Sequence, residues 1–375
     1  MRIKLHSFAI VALVAWAAID LLMAYHREFT TYSATLKLLF IGPLCIFSLP
    51  MIIRKNYILM IVLLGISTII TLAYPNSYNS NYSLRLLIFI LIFFAVYTSI
   101  TNIQTKNLIN WIFAVITIVF LATIISVAGG TNSVYADEGF GGGAGGFSSA
   151  NQYSYLLILL LSIVMIYTKI NTEKKLTFSY FFIILAAANC IMLTTKASVV
   201  FSIVIIMFFL VDKKKWFLFF LILILVALGL LNYYEELSVI NRFLFFVDNR
   251  DTIWALTSGR SERLEEFRLS FFSFIPNENV AINYEMELFD ALVNLGVFGL
   301  FFICGFLWYS LKKSLFSAFP FAITGLVVLI IILSGHFFNA IAIAPYVAVY
   351  FRLLDELRLA RTPSPPLHDK VKWSN

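Results

Sequence analysis

Apolar runs about as long as a membrane is thick recur along most of this chain. No other feature of the sequence restricts its fold as strongly. "LLIFILIFFAVYTSI" (86–100) and "VVFSIVIIMFFLV" (199–211) contain no charge. About 20 helical residues cross a hydrocarbon core, and in lipid a helix satisfies its own backbone hydrogen bonds. Composition agrees: 61% of the 375 residues are hydrophobic and 13% charged, against about 25% charged in a soluble domain. The 38 phenylalanines are tolerable in lipid and would drive aggregation in water. The expectation is an all-α, polytopic integral membrane protein.

The pattern predicts about 12 transmembrane helices, at 6–25, 37–53, 57–74, 85–101, 108–128, 151–168, 177–195, 198–211, 216–232, 286–310, 319–335 and 338–352. The first is read as an uncleaved helix, since its apolar stretch is long and lacks a small-x-small cleavage site. No internal repeat of the transporter kind is visible. Cys45, Cys190 and Cys304 all fall inside apolar runs and read as small hydrophobes. The net charge of +7 reflects basic loops on the cytoplasmic side, and no nucleic acid partner is expected.

Charge also orients the chain. With the N-terminus cytoplasmic, only nine of the 27 basic residues fall outside: Arg27, Lys37, Arg85, Lys196, Arg242, Arg250, Arg260, Arg263 and Arg268. That bias puts both termini inside. The chain reads as one transmembrane domain, 1–375, with two long outer loops and a tail. The loop 129–150 is Gly-rich, and its glycine run suits neither helix nor strand. The loop 233–285 is the longest. The cytoplasmic tail, 353–375, ends in the Pro-rich "RTPSPPLHDKVKWSN" and is expected to be disordered.

Five of the nine outer cations crowd into the loop 233–285, and all five are arginines. "LTSGRSERLEEFRLSFF" (256–272) holds three of them. Read as a helix over 260–272, it places Arg260, Arg263 and Arg268 with Leu264, Phe267 and Phe271 on one face about 140° wide. Glu262, Glu265 and Glu266 take the opposite face. Guanidiniums beside aromatics suit bidentate binding of phosphate or carboxylate. A salt-bridged surface helix with pairs such as Glu265–Arg268 is the plainer alternative.

Other polar residues stand out against the apolar background. Lys196 lies in the short turn "LTTKAS", where a buried cation needs an anionic partner. Arg85 opens the fourth span, in reach of the interface. Glu285 and Glu287 enter the tenth span, with Asp290 one and a half turns deeper. Glu285 suits a general base toward a sugar hydroxyl. A helix-dipole interaction explains Glu285 and Glu287 equally well, and Asp290 poorly. His336, in "SGHFFN", sits at the outer end of the eleventh span. Asp137 and Glu138 are adjacent carboxylates with no further ligand in sequence, so no metal is expected.

Together these pieces resemble the O-antigen polymerase (Wzy-type) family, and more distantly the O-antigen ligases. "GGFSSANQYSY" (145–155) is similar to the family's Gly-Phe…Asn lead-in to a helix. "LTTKAS" (193–198) resembles its Thr/Ser-Arg turn, with Lys196 in the arginine's place. "LTSGR" (256–260) resembles the Ser-Gly-Arg of the large periplasmic loop. "EMELFDALVNLGVFGL" (285–300) resembles the segment that follows. The ligases tend to have His-Asn where this chain has Glu285-Met286, which favours polymerase.

The resemblance implies a glycosyltransferase that needs no cofactor or metal and acts at the periplasmic face of the bacterial inner membrane. Its donor and acceptor would be oligosaccharide repeat units on undecaprenyl pyrophosphate. The growing chain would move onto the non-reducing end of a new unit, and a separate chain-length regulator would be the protein partner. On this reading Glu285, Arg260 and Lys196 are catalytic. Arg85, Arg263, Arg268, Arg250, Asp290 and His336 bind pyrophosphate or glycan. The competing expectations are a ligase and a flippase or transporter.

Overall fold

The structure is a computed structural model that describes residues 5–25, 30–54, 62, 65, 68–69, 77–101, 103–129, 150–170, 176–193, 195–218, 220–221, 224, 247–248, 260–265, 267, 285–335, 337–338 and 340–361. Among the described residues it is all-α, with no strand. In chain order the helices are α1 (Leu5–Tyr25), α2 (Thr30–Arg54), α3 (Ser77–Ile100), α4 (Thr105–Ala128), α5 (Ala150–Ile170), α6 (Leu176–Met192), α7 (Lys196–Asp212), α8 (Arg260–Glu265), α9 (Glu287–Ser314), α10 (Ala318–Ser334) and α11 (Ala344–Arg361). A 3-10 turn, Ile341–Ile343, leads into α11.

Among the described residues four segments are long and apolar enough to cross a membrane: Tyr82–Ile100, Thr105–Ala128, Asn151–Ile170 and Glu287–Ser314. Shorter apolar helices pack around them. Large apolar side chains also point outward: Phe217 is 78% exposed, Phe301 70% and Phe298 61%. Such a surface is stable against lipid and not against water, and it marks a membrane protein. Hydroxyls inside the apolar helices bond back to the preceding turn, as Thr98 does to the Phe94 carbonyl (2.8 Å) and Ser162 to that of Ile158 (2.8 Å).

α5 is the central helix, and nearly all of it is buried. It packs on α6, α7 and α11, while α11 lies between α5 and α3. α1 packs along α4 and α2, and α9 along α10 and α3. Side-chain bonds give the helices a common sense of direction. At one end the first turn of α5 meets that of α7 through Ser154 and Thr195 (2.6 Å). The second turn of α3 and the first turn of α9 meet there through Tyr82 and Glu287. At the other end α5 reaches α7 through Lys169 and Asp212. There α9 also reaches α3 and α11 through Lys313, Tyr97 and Asp355. The helices α3, α5, α7, α9 and α11 therefore run the same way.

α9 does not run straight. Eleven residues separate Tyr82 from Phe93 on α3, and nineteen separate Glu287 from Phe306 on α9. Yet Tyr82 bonds Glu287, and the Phe93 and Phe306 rings are 5.6 Å apart. At 1.5 Å per residue these paths are about 17 and about 29 Å. The surplus is taken up at Gly296, whose φ of 70° and ψ of −168° interrupt the helix. The segment 287–295 is thus set aside from the axis of 297–314.

Several boundaries differ from the sequence expectations. α3 begins at Ser77, well before residue 85, because the polar residues Tyr82 and Ser83 are buried. The tail assigned to 353–375 begins later, since α11 continues to Arg361 with Leu353, Leu354 and Leu357 buried. The helix expected over 260–272 closes after Glu265, and Phe267 is already non-helical. All of the loop 129–150 but its two end residues, most of the spans 57–74 and 216–232, and most of the loop 233–285 lie outside the described residues.

Candidate functional site

The polar end of the bundle that carries the first turn of α9 is organised around two residues, Glu285 and Glu287. Glu287 is completely buried. A carboxylate taken out of water needs donors, and it has them: the Tyr82 hydroxyl (2.6 Å) and the Phe337 backbone N–H (2.6 Å). This one side chain ties α9 to α3 and to the segment between α10 and α11. Asp290, one turn on, is 2% exposed, and Asn294 donates to its backbone carbonyl (2.7 Å).

Glu285 sits just before α9 in the left-handed region, with φ 54°. That conformation is unfavourable for glutamate, so its surroundings must hold it. Gly335 does so from one side. A Cβ there would lie 2.3 Å from the Glu285 carbonyl carbon and 2.6 Å from the Met286 nitrogen. Only glycine permits this approach, and its φ of 59° also requires glycine. The Tyr155 hydroxyl bonds the Gly335 carbonyl and fixes that segment to the central helix.

Arg260 holds Glu285 from the other side. Its Nε donates to the Glu285 carbonyl oxygen (2.9 Å), and its Nη2 lies 3.6 Å from Oε2. Arg263 Nη1 lies 2.8 Å from Oε1. α8 is seated on α9 by Leu264 and Phe267, which pack with Met286, Phe289 and Val293. The Phe267 and Phe289 rings meet edge to face at 5.1 Å. Arg260 and Arg263 therefore share a face with the apolar residues, and Glu262 and Glu265 are exposed, as the helical reading predicts. The arginine face is turned to the start of α9. The result is two guanidiniums converging on one carboxylate at the mouth of a membrane-spanning helix.

Beneath this cluster the bundle is filled with packed rings. Phe337 meets Tyr155, Phe89 and Phe338, and Phe338 meets Phe306. Phe306 then packs on Phe93, which stacks on Tyr97 at the far end. There Lys313 donates to the Tyr97 hydroxyl (2.7 Å), pairs with Asp355 (2.5 Å) and lies 4.6 Å from the Tyr97 ring centroid.

The structure brings together Glu285, Arg260 and Arg263, with Asp290 buried behind them. Arg85 is exposed on α3, one turn on from Tyr82. Lys196 is the first residue of α7, whose cap is Thr195 accepting from the Ser198 N–H (3.2 Å). Arg250, Arg268, His336, Asp137 and Glu138 lie outside the described residues. Among the described residues no three His, Cys, Asp or Glu side chains gather as metal ligands would. Sequence reasoning passed over Tyr82, Tyr155 and Gly335. Only Gly335 left a signal, a glycine closing an apolar run. No protein-family model, no curated protein and no solved structure matches this chain.

Proposed function

We propose that this protein is a polymerase of the O-antigen type, joining oligosaccharide repeat units carried on undecaprenyl pyrophosphate at the periplasmic face of the inner membrane. The observation that carries the reading is the convergence of Arg260 and Arg263 on one carboxylate at the mouth of α9. A lipid-linked pyrophosphate keeps its tail in the bilayer and its phosphates at the boundary, and two arginines at the start of a long apolar helix suit both.

The acceptor hydroxyl oxygen attacks the anomeric carbon of the donor. The bond from that carbon to the phosphate oxygen breaks, and pyrophosphate leaves with the electron pair. The acceptor proton passes to the Glu285 carboxylate. Arg260 and Arg263 stabilise the charge that develops on the leaving group, and preorganised cations in a dry site do this most effectively. Undecaprenyl pyrophosphate is thus both donor carrier and acceptor carrier, and a separate chain-length regulator sets the product size.

Among the described residues the rings packed between the two polar ends favour an enzyme over a flippase or transporter, which needs polar groups around its cargo near mid-membrane; the break in α9 at Gly296 is a feature that transporters share. The test is conversion of a defined lipid-linked repeat unit by the purified protein. A ladder of products is expected from the wild type and none from Arg260→Ala. A ladder of normal length from Arg260→Ala removes the site assignment.

A further inference from the structure

We infer that Glu285 is an internal occupant of a diphosphate site, displaced when the lipid-linked pyrophosphate binds and thereby released to act as the base. This rests on the polymerase reading above and adds to it an order of events.

Four observations carry the inference. The Arg260 guanidinium is anchored through Nε to the backbone carbonyl of residue 285 (2.9 Å), while its contact with the carboxylate is only 3.6 Å. It therefore keeps its place when the side chain leaves. The backbone at 285 is itself fixed, wedged against Gly335 and followed by the pinned Glu287. Exchange then needs only a side-chain rotation. The Glu285 and Arg263 side chains are 28% and 38% exposed, against 14% for Arg260. The bond to be broken is thus the water-accessible one. Finally, Oε1 accepts from Arg263 at 2.8 Å, so the carboxylate is held on the arginines until another anion takes its place.

A diphosphate offers the same donors more oxygens and more negative charge than one carboxylate, so it wins the exchange. The sequence of events follows. Without donor, the arginines are neutralised by Glu285 and the base is masked. When the pyrophosphate takes the guanidiniums, the carboxylate swings toward the acceptor hydroxyl. Premature attack of water on the donor is suppressed, because base and leaving-group clamp assemble together.

The test is calorimetric titration of the full-length, detergent-solubilised protein with inorganic pyrophosphate. Wild type, Glu285→Gln, Glu285→Ala and Arg260→Ala are compared, with Glu262→Ala as a control for charge alone. Thermal unfolding of each variant checks its fold. Removing an internal competitor held by partly exposed pairs should tighten pyrophosphate binding about five- to tenfold in Glu285→Gln and Glu285→Ala. Those two variants should form no polymer, Arg260→Ala should lose binding, and Glu262→Ala should match the wild type. Equal or weaker binding in both Glu285 variants overturns the exchange and leaves the polymerase reading standing. No pyrophosphate binding in any of the proteins overturns both.

Discussion

Replacing Gly335 by alanine tests the geometry that holds Glu285 in place. The new Cβ would stand 2.3 Å from the Glu285 carbonyl carbon, 2.4 Å from its oxygen and 2.6 Å from the Met286 nitrogen. Ordinary contact begins near 3.4 Å, so the 285–286 backbone must retreat by about 1 Å. The φ of 59° and ψ of 179° at this position fall in a region open essentially to glycine alone, which costs an alanine about 1–3 kcal/mol. A displacement of about 1 Å at reacting groups costs on the order of 100-fold in rate. Gly335→Ala should therefore cut polymer formation about 100-fold while the protein still inserts in the membrane, with thermal stability lowered by about 2 kcal/mol. The assay is turnover of a lipid-linked repeat unit by purified protein, with unfolding followed in the same detergent. Turnover and stability equal to wild type would show that the Gly335–Glu285 contact does not position the site.

Other residues give independent checks. Glu287→Gln keeps the shape but leaves one of the two buried donors, Tyr82 hydroxyl or Phe337 N–H, facing an amide NH₂. It should lower stability by about 2–4 kcal/mol and shift thermal unfolding accordingly; an unchanged unfolding temperature refutes the buried link. Tyr82→Phe removes one of those donors and should cost about 1–2 kcal/mol in the same measurement. Lys313→Met strips the cation from Asp355 and Tyr97 at the far end, and should destabilise by about 1–3 kcal/mol with turnover per folded molecule retained. Arg260→Lys keeps the charge but cannot bond the 285 carbonyl and reach the carboxylate together, so polymer yield should fall below about a tenth of wild type. Full yield from the lysine variant would mean that charge alone suffices.

Fold class was legible because lipid permits few solutions: uninterrupted apolar runs have to be helices, and α1, α4 and α5 lie close to their expected limits. The errors lie where a polar residue buries itself by finding a distant partner. Tyr82 looked like loop because its partner, Glu287, is 205 residues away. The bend at Gly296 was hidden for a related reason, since a glycine inside an apolar run reads the same whether the helix continues or breaks. Within the site, the placing of Arg260, Arg263 and Leu264 on one face followed from helical periodicity, and Phe267 joins them from beyond the helix end. That those arginines meet Glu285 did not, because it depends on α8 packing against α9 and on Gly335 closing over the 285–286 backbone from α10. Lys196 and Arg85 were singled out for their apolar surroundings. Periodicity carries no information on how far either stands from Glu285.

The central claim, that Arg260 and Arg263 clamp a lipid pyrophosphate while a glycan chain is extended, is tested most directly by reconstitution. Purified full-length protein would be given a fluorescent undecaprenyl-pyrophosphate repeat unit in proteoliposomes, with and without a chelator. Chain growth and accessibility of the label on each side of the membrane would be followed together. A ladder of products is expected in both conditions from the wild type, and single units only from Arg260→Ala. Movement of the labelled unit across the bilayer without any chain growth would contradict the claim.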